Sequence, residues 1–432
     1  MTWRNVNIVS LGCSKNLVDT ERLLSMLRNS GIQAEVTDNV SLPAETVVIN
    51  TCGFIGDAKE ESINTILEAA QAKADGIVNR IMVMGCLSER YAKELPAELP
   101  EVDVWKGKFD WQGLVNEIAG KHPGVTTFDR IITTPHHHAY LKIAEGCNRF
   151  CAFCAIPIIT GRYRSRTPEE LEAEVRLLVA RGVKEFNVIA QDLTSYGRDL
   201  PQKVLLPELI DRLSDIDGVE WLRLHYAYPA DFPMEVMDIM ARKPNVCNYL
   251  DIALQHISDK VLGNMRRHIN GNRTRELIAE MRSRVAELHL RTTMMTGFPG
   301  EGDEEFAELL DFVKETKFER MGAFAYCEED DTYAAKNLRD TTPQEVKQAR
   351  LDTLMAAQEQ ISLEIQEKKI GHTLRVMVDR EESEFYVGRT EWDSPEVDPE
   401  VLIRKNRSLS PGTFVSVKIE EAMPFELIGS PQ

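Results

Sequence analysis

The stretch Glu145-Gly-Cys-Asn-Arg-Phe-Cys-Ala-Phe-Cys154 decides the architecture, because it places three cysteines on one short loop directly after a strand-like run. Cys147, Cys151 and Cys154 are separated by three and then two residues. Three thiolates on one loop can hold a single small metal cluster. A cubane iron–sulfur cluster usually takes four cysteines, so three local ligands leave one iron open. The segment therefore predicts a cluster with an open coordination position.

Zinc is the competing interpretation of this loop. Structural zinc sites are closed by four ligands, commonly as paired Cys-x2-Cys units, and no second pair follows at such a spacing. An open iron suits reductive cleavage of S-adenosylmethionine, because the amino and carboxylate groups of the methionine can chelate it. We therefore expect the loop to carry a cluster that cleaves S-adenosylmethionine.

Composition is that of an ordinary globular protein. The chain has 432 residues, of which 43% are hydrophobic and 28% charged, which predicts roughly two to four domains. No apolar stretch approaches the ~20 residues of a membrane span, so we expect a cytoplasmic protein without membrane contact. In a reducing compartment the eight cysteines are more typical of metal ligands than of disulfides.

Residues from about 139 to about 365 alternate short apolar runs with helical patterns such as Thr167–Arg181 and Gly271–Leu288. This alternation is typical of a parallel sheet covered by helices. Six strand–helix units are fewer than a full barrel contains, so we expect a partial, TIM-like (βα)6 barrel. The predicted strands are Tyr140–Ala144, Glu185–Ala190, Trp221–His225, Tyr249–Leu254, Leu290–Met295 and Met321–Tyr326.

Three further cysteines each end an apolar run of the first segment. The runs are Asn7–Cys13, Val47–Cys52 and Ile81–Cys86, and helix-forming sequence follows each. The pattern predicts a parallel, flavodoxin-like α/β domain, whose strands all end at one edge of the sheet. The three cysteines would converge at that edge and hold a second cluster. The alternative is that they pack as small buried hydrophobic groups.

The last segment changes pattern. A long charged helix is expected from Thr342 to about Lys369, and period-two strands broken by glycine and proline follow it. Such strands are typical of a small antiparallel β-barrel. A polar linker, Thr133–His138, is expected to separate the first two segments.

The cysteine loop resembles that of the radical S-adenosylmethionine superfamily, and the resemblance implies residues that bind this cofactor. Phe153 stands where the superfamily places an aromatic side chain beside the adenine. Gln191 ends a strand and would reach the methionine moiety, or else simply close a loop. Gly297 and Gly300 form a turn that would let the backbone approach the nucleotide, or else only connect a strand to a helix.

Two cysteine triads on two such domains resemble the methylthiotransferase family over nearly the whole chain. The expected domains are 1–130, the methylthiotransferase domain with the auxiliary cluster, 133–365, the radical domain, and 368–432, a TRAM barrel. Ser10–Glu21, Asn50–Ile55 and Leu250–His256 resemble the branch that modifies the small-subunit ribosomal protein S-twelve. Ser14 departs from the proline common at that position, which affects neither cluster.

The resemblance implies methylthiolation of the β-carbon of an aspartate, with two S-adenosylmethionine and two [4Fe–4S] clusters. The metal ligands would be Cys13, Cys52, Cys86, Cys147, Cys151 and Cys154. A 5′-deoxyadenosyl radical would remove the hydrogen, because neither an acid nor a base can cleave an unactivated carbon–hydrogen bond. An electron donor protein is a further implied partner.

Charge bears on the choice of substrate. The chain carries a net charge of −18, and residues 371–432 contain seven basic and twelve acidic side chains, a net charge of −5. A barrel that grips RNA needs cations for the phosphates, so the acidity favours a basic ribosomal protein. Arg404–Arg407 is the one basic cluster and would allow a local contact with ribosomal RNA. A tRNA adenosine methylthiotransferase and an iron–sulfur carrier or redox protein that binds nucleic acid remain the alternatives.

Overall fold

The computed structural model describes residues 5–120 and 129–432 and forms three main sheets. Two are parallel and lie in the first and middle segments, and the third is a closed barrel near the C-terminus. Residues 1–4 and 121–128 belong to the expected first domain but lie outside the described residues. Within 5–120 and 129–432, no helix has the length and apolar character needed to cross a membrane.

The first sheet has the strand order β2-β1-β3-β4-β5, which is the flavodoxin-like order and confirms the predicted fold class. Its central strands β1, β3 and β4 are buried because they consist largely of valine, isoleucine and methionine. Its elements are β1 (Asn5–Ser10), α1 (Ser14–Asn29), β2 (Gln33–Val36), β3 (Ala44–Thr51), α2 (Gly56–Ala74), β4 (Val78–Gly85), α3 (Cys86–Arg90), α4 (Leu95–Glu98), β5 (Val104–Trp105) and α5 (Trp111–Ala119).

The middle sheet has the order β13-β12-β11-β10-β9-β6, with all six strands parallel, and confirms the partial barrel. Its apolar outer face packs against the surrounding helices in the largest core of the protein. The elements are β6 (His138–Lys142), β7 (Ala144–Glu145), α6 (Ile156–Ile159), β8 (Arg164–Ser165), α7 (Pro168–Ala180), β9 (Glu185–Ile189), α8 (Leu206–Ser214), β10 (Trp221–Ala227), α9 (Glu235–Arg242), β11 (Val246–Gln255), α10 (Asp259–Asn264), α11 (Gly271–Arg284), β12 (His289–Thr296), α12 (Asp303–Thr316), β13 (Arg320–Ala325), α13 (Tyr333–Asn337) and α14 (Gln344–Glu367).

The C-terminal barrel closes in the order β14-β15-β16-β18-β17. Neighbouring strands are antiparallel except β16 and β18, which pair in parallel, a detail that the expected antiparallel barrel did not include. The strands are β14 (Thr373–Glu381), β15 (Phe385–Arg389), β16 (Glu400–Arg404), β17 (Phe414–Met423) and β18 (Glu426–Pro431).

The C-terminal barrel docks on the amino ends of the middle strands, opposite the edge that carries the cysteine loop. Arg389 forms a bidentate ion pair with Glu185, the first residue of β9. Its two terminal nitrogens donate to the two carboxylate oxygens at 2.8 and 3.0 Å. Its Nε also donates to Asp379 at 2.7 Å. Burial opposes ionisation of Glu185, but Arg389 and Arg223 hold the pKa of this carboxyl far below its usual range.

The residues expected to form a polar linker are partly buried by this docking. His137 and His138 are at most 3% exposed, and the His137 ring nitrogen lies 2.8 Å from an Asp379 carboxylate oxygen. His138 already begins β6. The prediction of a polar linker was wrong for these two residues, because the sequence does not reveal that the distant C-terminal barrel covers them and that His138 begins a strand.

Loss of the buried Arg389 should destabilise the protein strongly. In Arg389→Met, the Glu185 and Asp379 carboxylates remain buried without their main counter-charge, so the free energy of unfolding should fall by ~3–5 kcal/mol. Urea unfolding followed by circular dichroism measures the change.

Arg380 on the same barrel provides the matched control. It pairs with Glu382 and Glu400 but its side chain is 48% exposed. Arg380→Met should therefore cost less than ~1 kcal/mol. Equal losses in the two variants would contradict the importance of the buried pair.

Candidate active site

A cavity of about 390 Å³ lies where the carboxyl edge of the first sheet faces the carboxyl ends of the middle strands. All six cysteines of the two triads line it: Cys13, Cys52, Cys86, Cys147, Cys151 and Cys154. Both triads therefore open into the same space. Cys247 and Cys327 do not line this cavity, and Cys247 is completely buried elsewhere.

The first triad sits on three strand ends. Cys13 immediately precedes α1, Cys52 directly follows β3, and Cys86 directly follows β4. Since β1 and β3 are neighbours from which the chain continues in opposite directions across the sheet, the triad occupies the topological switch point. The strand periodicity that placed these cysteines at one edge is confirmed by the structure, whereas their role as ligands stays a prediction.

Asn16 ties the three loops together. Its side-chain amide donates to the carbonyl oxygens of Leu11 at 3.1 Å and Thr51 at 3.0 Å. Its side-chain oxygen accepts from Lys108 at 3.1 Å and from the Cys86 thiol at 3.6 Å. One buried amide therefore fixes the ends of β1, β3 and β4 relative to one another.

Two glycines allow these loops to approach closely. Gly12 has a φ of +85°, and a Cβ at this position would lie 2.9 Å from the Cys52 sulfur. Gly85 has a φ of +106°, and a Cβ there would lie 2.5 Å from the Asn50 side-chain oxygen. A larger residue would push the cysteine loops apart at both positions.

The second triad lies on the loop that follows β7. The backbone N–H of Arg149 donates to the Cys147 sulfur at 3.5 Å, and the Arg267 guanidinium donates to the Cys151 sulfur at 3.3 Å. The Cys151 thiol donates to the Tyr228 hydroxyl at 4.0 Å, and that hydroxyl donates to the Arg267 carbonyl oxygen at 2.6 Å. The two N–H donors, from Arg149 and Arg267, offset the negative charge of thiolates and of a bound cluster.

Two of the four residues predicted to bind S-adenosylmethionine line the cavity. Phe153 packs edge-to-face on Phe298, with ring centroids 6.0 Å apart. Gln191 donates to Glu145, and its side-chain oxygen is buried without a hydrogen-bond partner among the described residues. Such an oxygen is suited to accept a hydrogen bond from a ligand.

The two glycines lie outside this cavity lining. A Cβ at Gly297 would lie 2.2 Å from Lys347 Cγ, and one at Gly300 would lie 2.3 Å from the Asn264 amide nitrogen. Their φ values of +72° and +102° favour glycine at both positions, and at Gly297 the contact with Lys347 adds to this preference. Glu301, in the same turn, accepts from the Gly297 backbone N–H at 2.8 Å. The cofactor contacts of all four residues stay predictions.

A buried chain of charges joins the two triads. Asp19 accepts from Lys108 at 2.9 Å and from Lys142, and Lys142 also donates to Glu145 at 2.8 Å. Burial opposes ionisation of Asp19, but the two ammonium groups hold the pKa of its carboxyl below the usual range. Glu145 accepts in turn from Gln191. The first domain and the middle barrel are thus connected by hydrogen-bonded ions beneath the cavity.

Burial sets the ionisation of most of the thiols. It raises the pKa of Cys86 to about 12 and that of Cys147 to about 11. It also raises the pKa of Cys52 and of Cys154. Without a metal these four sulfurs are therefore protonated at neutral pH, and metal binding would release their protons.

Cys13 differs from them. It is exposed to the cavity. Burial of the sulfur opposes ionisation, but the Lys15 ammonium, the Asn16 backbone N–H and the Lys108 ammonium together hold the pKa of Cys13 below its usual value. Cys13 is therefore the most nucleophilic thiol of the first triad.

Several residues of the site escaped the sequence analysis. Lys15 stands two residues after Cys13, which is a local signal that could have been used. Lys108 follows β5, a two-residue edge strand that periodicity does not detect. Arg267 and Tyr228 lie far from any cysteine in sequence, so only the fold brings them to the second triad.

Family profiles match all three segments. Residues 141–313 match the Radical SAM superfamily, and residues 370–431 match the TRAM domain. Residues 5–107 match the Uncharacterized protein family UPF0004. Each matched range covers most of one of the three sheets, and the Radical SAM match ends before β13.

Relatives resemble the chain over nearly its whole length. A protein of Parabacteroides distasonis is 55% identical over 429 residues, which are 99% of each chain. One of Bacteroides fragilis is 55% identical over 431 residues, and one of Porphyromonas gingivalis is 54% identical over 429, again with 99% of each chain covered. All three are named ribosomal protein uS12 methylthiotransferase RimO.

Solved structures share the fold at low sequence identity. The radical S-adenosylmethionine methyltransferase TsrM from Kitasatospora setae has a TM-score of 0.54 at 15% identity, covering 74% of this chain and 75% of its own. The cobalamin-dependent S-adenosylmethionine radical enzyme OxsB has a TM-score of 0.54 at 12% identity, covering 83% of this chain and 56% of its own. These likenesses support the architecture alone.

The three-cysteine loop, the partial barrel and the matching profile define a radical S-adenosylmethionine enzyme, for which a [4Fe–4S] cluster and S-adenosylmethionine are implied. Within that class it is a methylthiotransferase. The chain belongs to the ribosomal protein uS12 methylthiotransferase RimO family.

The thiol pKa values predict a graded reactivity in the metal-free protein. Cys13 should react with iodoacetamide faster at neutral pH than Cys52, Cys86, Cys147 and Cys154, because its pKa is lowered and theirs are raised. Labelling of Cys147 should be slow and should accelerate by about tenfold per pH unit up to its pKa, since only the thiolate reacts. Peptide mass spectrometry after timed quenching measures each rate.

Cys247 and Cys327 serve as internal controls. Cys247 is fully buried and should stay unlabelled until the protein unfolds, whereas Cys327 is exposed and should label readily. A Cys13 rate below that of Cys147 at neutral pH would contradict the arrangement of positive charge around the first triad.

Proposed function

We propose that this enzyme methylthiolates the β-carbon of an aspartate in ribosomal protein uS12. It would use two molecules of S-adenosylmethionine and two [4Fe–4S] clusters. Cys147, Cys151 and Cys154 would hold the cluster that cleaves S-adenosylmethionine. Cys13, Cys52 and Cys86 would hold the auxiliary cluster.

The observation that supports two cooperating clusters is the shared cavity. Each triad supplies three thiols and no fourth cysteine, which suits a cluster that keeps one iron open. Both triads face the same space. The first triad would therefore deliver sulfur to the same substrate carbon from which the radical formed at the second triad removes hydrogen. When bound, the two clusters would supply the electron for cleavage and an iron that binds the transferred sulfur.

The chain's own residues would orient and enclose the reactants. Phe153 would flank the adenine, and the free side-chain oxygen of Gln191 would accept a hydrogen bond from the methionine moiety. Gln191 is held in place by Glu145, which Lys142 anchors. This support would keep the cofactor in a fixed position relative to the substrate carbon.

The names of the relatives favour uS12 over a tRNA adenosine. The acidity of the C-terminal barrel is weaker support than its sequence suggests, because several of its carboxylates face inward. Asp393 pairs with Arg320, and Asp398 pairs with Arg291. Both arginines belong to the middle barrel. Those charges are therefore not available to a basic partner.

The basic cluster of the C-terminal barrel is also largely neutralised within it. Arg404 pairs with Glu420 and Glu421, and Lys405 pairs with Glu381. The proposed contact with ribosomal RNA would therefore need these pairs to exchange partners. TRAM domains suggest binding to RNA, and on the ribosome such a contact would accompany recognition of uS12.

We further propose the domain limits 1–130, 133–365 and 368–432. The docking of the C-terminal barrel through Arg389 supports these units acting as one assembly rather than as independent modules. An electron donor protein would reduce the cluster of the second triad. A ribosomal substrate would place the reaction in the cytoplasm.

The decisive test offers both substrates to the same enzyme. Protein reconstituted with iron and sulfide is incubated with S-adenosylmethionine, dithionite, and either uS12 or unmodified tRNA. We expect uS12 to gain the mass of one methylthio group on a single aspartate, located by tandem mass spectrometry, and tRNA to remain unchanged.

Cys151→Ser is the negative control, because it removes a ligand from the loop that would hold the cleaving cluster. It should form no 5′-deoxyadenosine and no modified uS12. A mass gain on tRNA alone would contradict the proposal. If the wild-type enzyme formed no 5′-deoxyadenosine, the result would favour an iron–sulfur carrier protein instead.

The number of clusters is tested by iron content. The triple variant Cys13/Cys52/Cys86→Ala should bind about half the iron and sulfide of the wild type after reconstitution, because one of two equal clusters is lost. Colorimetric iron and sulfide assays per chain measure the ratio.

The matched control removes the two cysteines outside the cavity. Cys247→Ala combined with Cys327→Ala should keep the wild-type iron content, since neither sulfur lines the site. Full iron in the triple variant would exclude a cluster on the first triad.

A further inference from the structure

The wall of the shared cavity is cationic. Among its described lining residues, four side chains are positive and none is a carboxylate, although the chain as a whole carries a net charge of −18. The four are Lys15, Lys108, Arg149 and Arg267. An enclosed positive wall of this kind favours an anionic ligand.

Three of these cations are already engaged within the protein. Lys108 donates to Asp19. Arg149 donates to Asp192 at 2.7 Å. Arg267 donates to the Cys151 sulfur at 3.3 Å and therefore belongs to the second triad.

Lys15 is the exception. It is only 8% exposed, and no carboxylate in 5–120 or 129–432 forms an ion pair with it. The Cys13 thiolate, two residues away, is a nearby anion that its charge stabilises. Its Nζ lies 3.3 Å from the centroid of the Tyr226 ring, at the end of β10. The ammonium of the first domain thus reaches across to the middle barrel, at a position between the two triads. A buried ammonium that no protein carboxylate pairs is suited to bind an anionic oxygen of a ligand.

The opposite wall shows two further marks of a binding site. Tyr226 is the penultimate residue of β10, and Gln255 is the last residue of β11. They have positive φ values of +62° and +72° although neither is a glycine. Strained backbone of this kind persists where the surrounding structure imposes it, commonly at functional sites. Gln255 is 7% exposed, and its side-chain oxygen has no hydrogen-bond partner among the described residues.

We infer that Lys15 and Gln255 form the subsite for the substrate residue, in which the Lys15 ammonium binds the aspartate carboxylate. The Gln255 side-chain oxygen accepts a hydrogen bond from a peptide N–H of the same segment. This inference rests on the proposed function and explains its selectivity. A substrate carboxylate supplies the ion-pair partner that no protein carboxylate provides to Lys15, whereas an asparagine amide or an adenine ring supplies none.

The test compares wild-type uS12 with uS12 whose target aspartate is replaced by asparagine. Equilibrium binding is measured with the reconstituted enzyme in the absence of reductant, so that no turnover occurs. Wild-type enzyme should bind the aspartate form at least roughly 30-fold more tightly, because the asparagine form cannot make the buried ion pair with Lys15. Lys15→Met should lose most of this preference, and Lys15→Arg should retain a substantial part of it.

Iron content and a distant lysine serve as controls. Lys93 is an exposed lysine of the same domain, and Lys93→Met should keep the full preference. An undiminished preference for aspartate in Lys15→Met would overturn the inference. The inference would also be overturned if Lys15→Met lost the same affinity for the aspartate and the asparagine form of uS12. That result would indicate that Lys15 binds an anionic sulfur group at the first triad. Loss of iron in both Lys15 variants would assign Lys15 to holding that triad and would equally overturn it.

The two proposals fail in different ways. If the enzyme modifies only tRNA, the proposed function is wrong whatever Lys15 does. If uS12 is modified but the asparagine form binds wild-type enzyme as tightly as the aspartate form, the function stands and the role of Lys15 is wrong.

Discussion

One carboxylate, Asp19, holds the two halves of the active site together. It accepts from Lys108 of its own domain and from Lys142 of the middle barrel. All three side chains are at most 3% exposed, so their charges compensate one another in a region from which water is excluded. Removal of one member of such a buried set of ions lowers the free energy of unfolding by more than the set contributes as a whole, because the remaining charges stay buried without partners. The alignment of the two cysteine triads depends on this contact.

Sequence periodicity predicted the parallel sheets and the placement of the cysteines, because both follow from short-range rules. A β-branched run that ends in a cysteine fixes where that cysteine lies along its strand. The short edge strands Gln33–Val36 and Val104–Trp105 were missed, since they have too few apolar residues to show a period. Lys108 was missed with them, because its position depends on the second of these strands.

Charge could be counted from the sequence but not assigned to a surface. Asp379, Asp393 and Asp398 contribute to the acidity of the C-terminal barrel, yet Arg389, Arg320 and Arg291 neutralise them inside the protein. Net charge therefore described this domain poorly as a partner for a basic protein. The family to which the chain belongs supports the identity of the substrate better than this charge does.

The buried ions between the two triads also limit how the gene can be divided. A fragment that ended near residue 120 would carry Asp19 and Lys108 on a newly exposed face, without Lys142. The complementary fragment would expose Lys142 and Glu145 beside a cysteine loop open to solvent and oxygen. If the two fragments were expressed separately and then mixed, each would first have to fold with an exposed charged surface that it cannot neutralise alone. Covalent continuity between the two parts that carry the triads ensures that each chain assembles both together, in a fixed ratio of one to one.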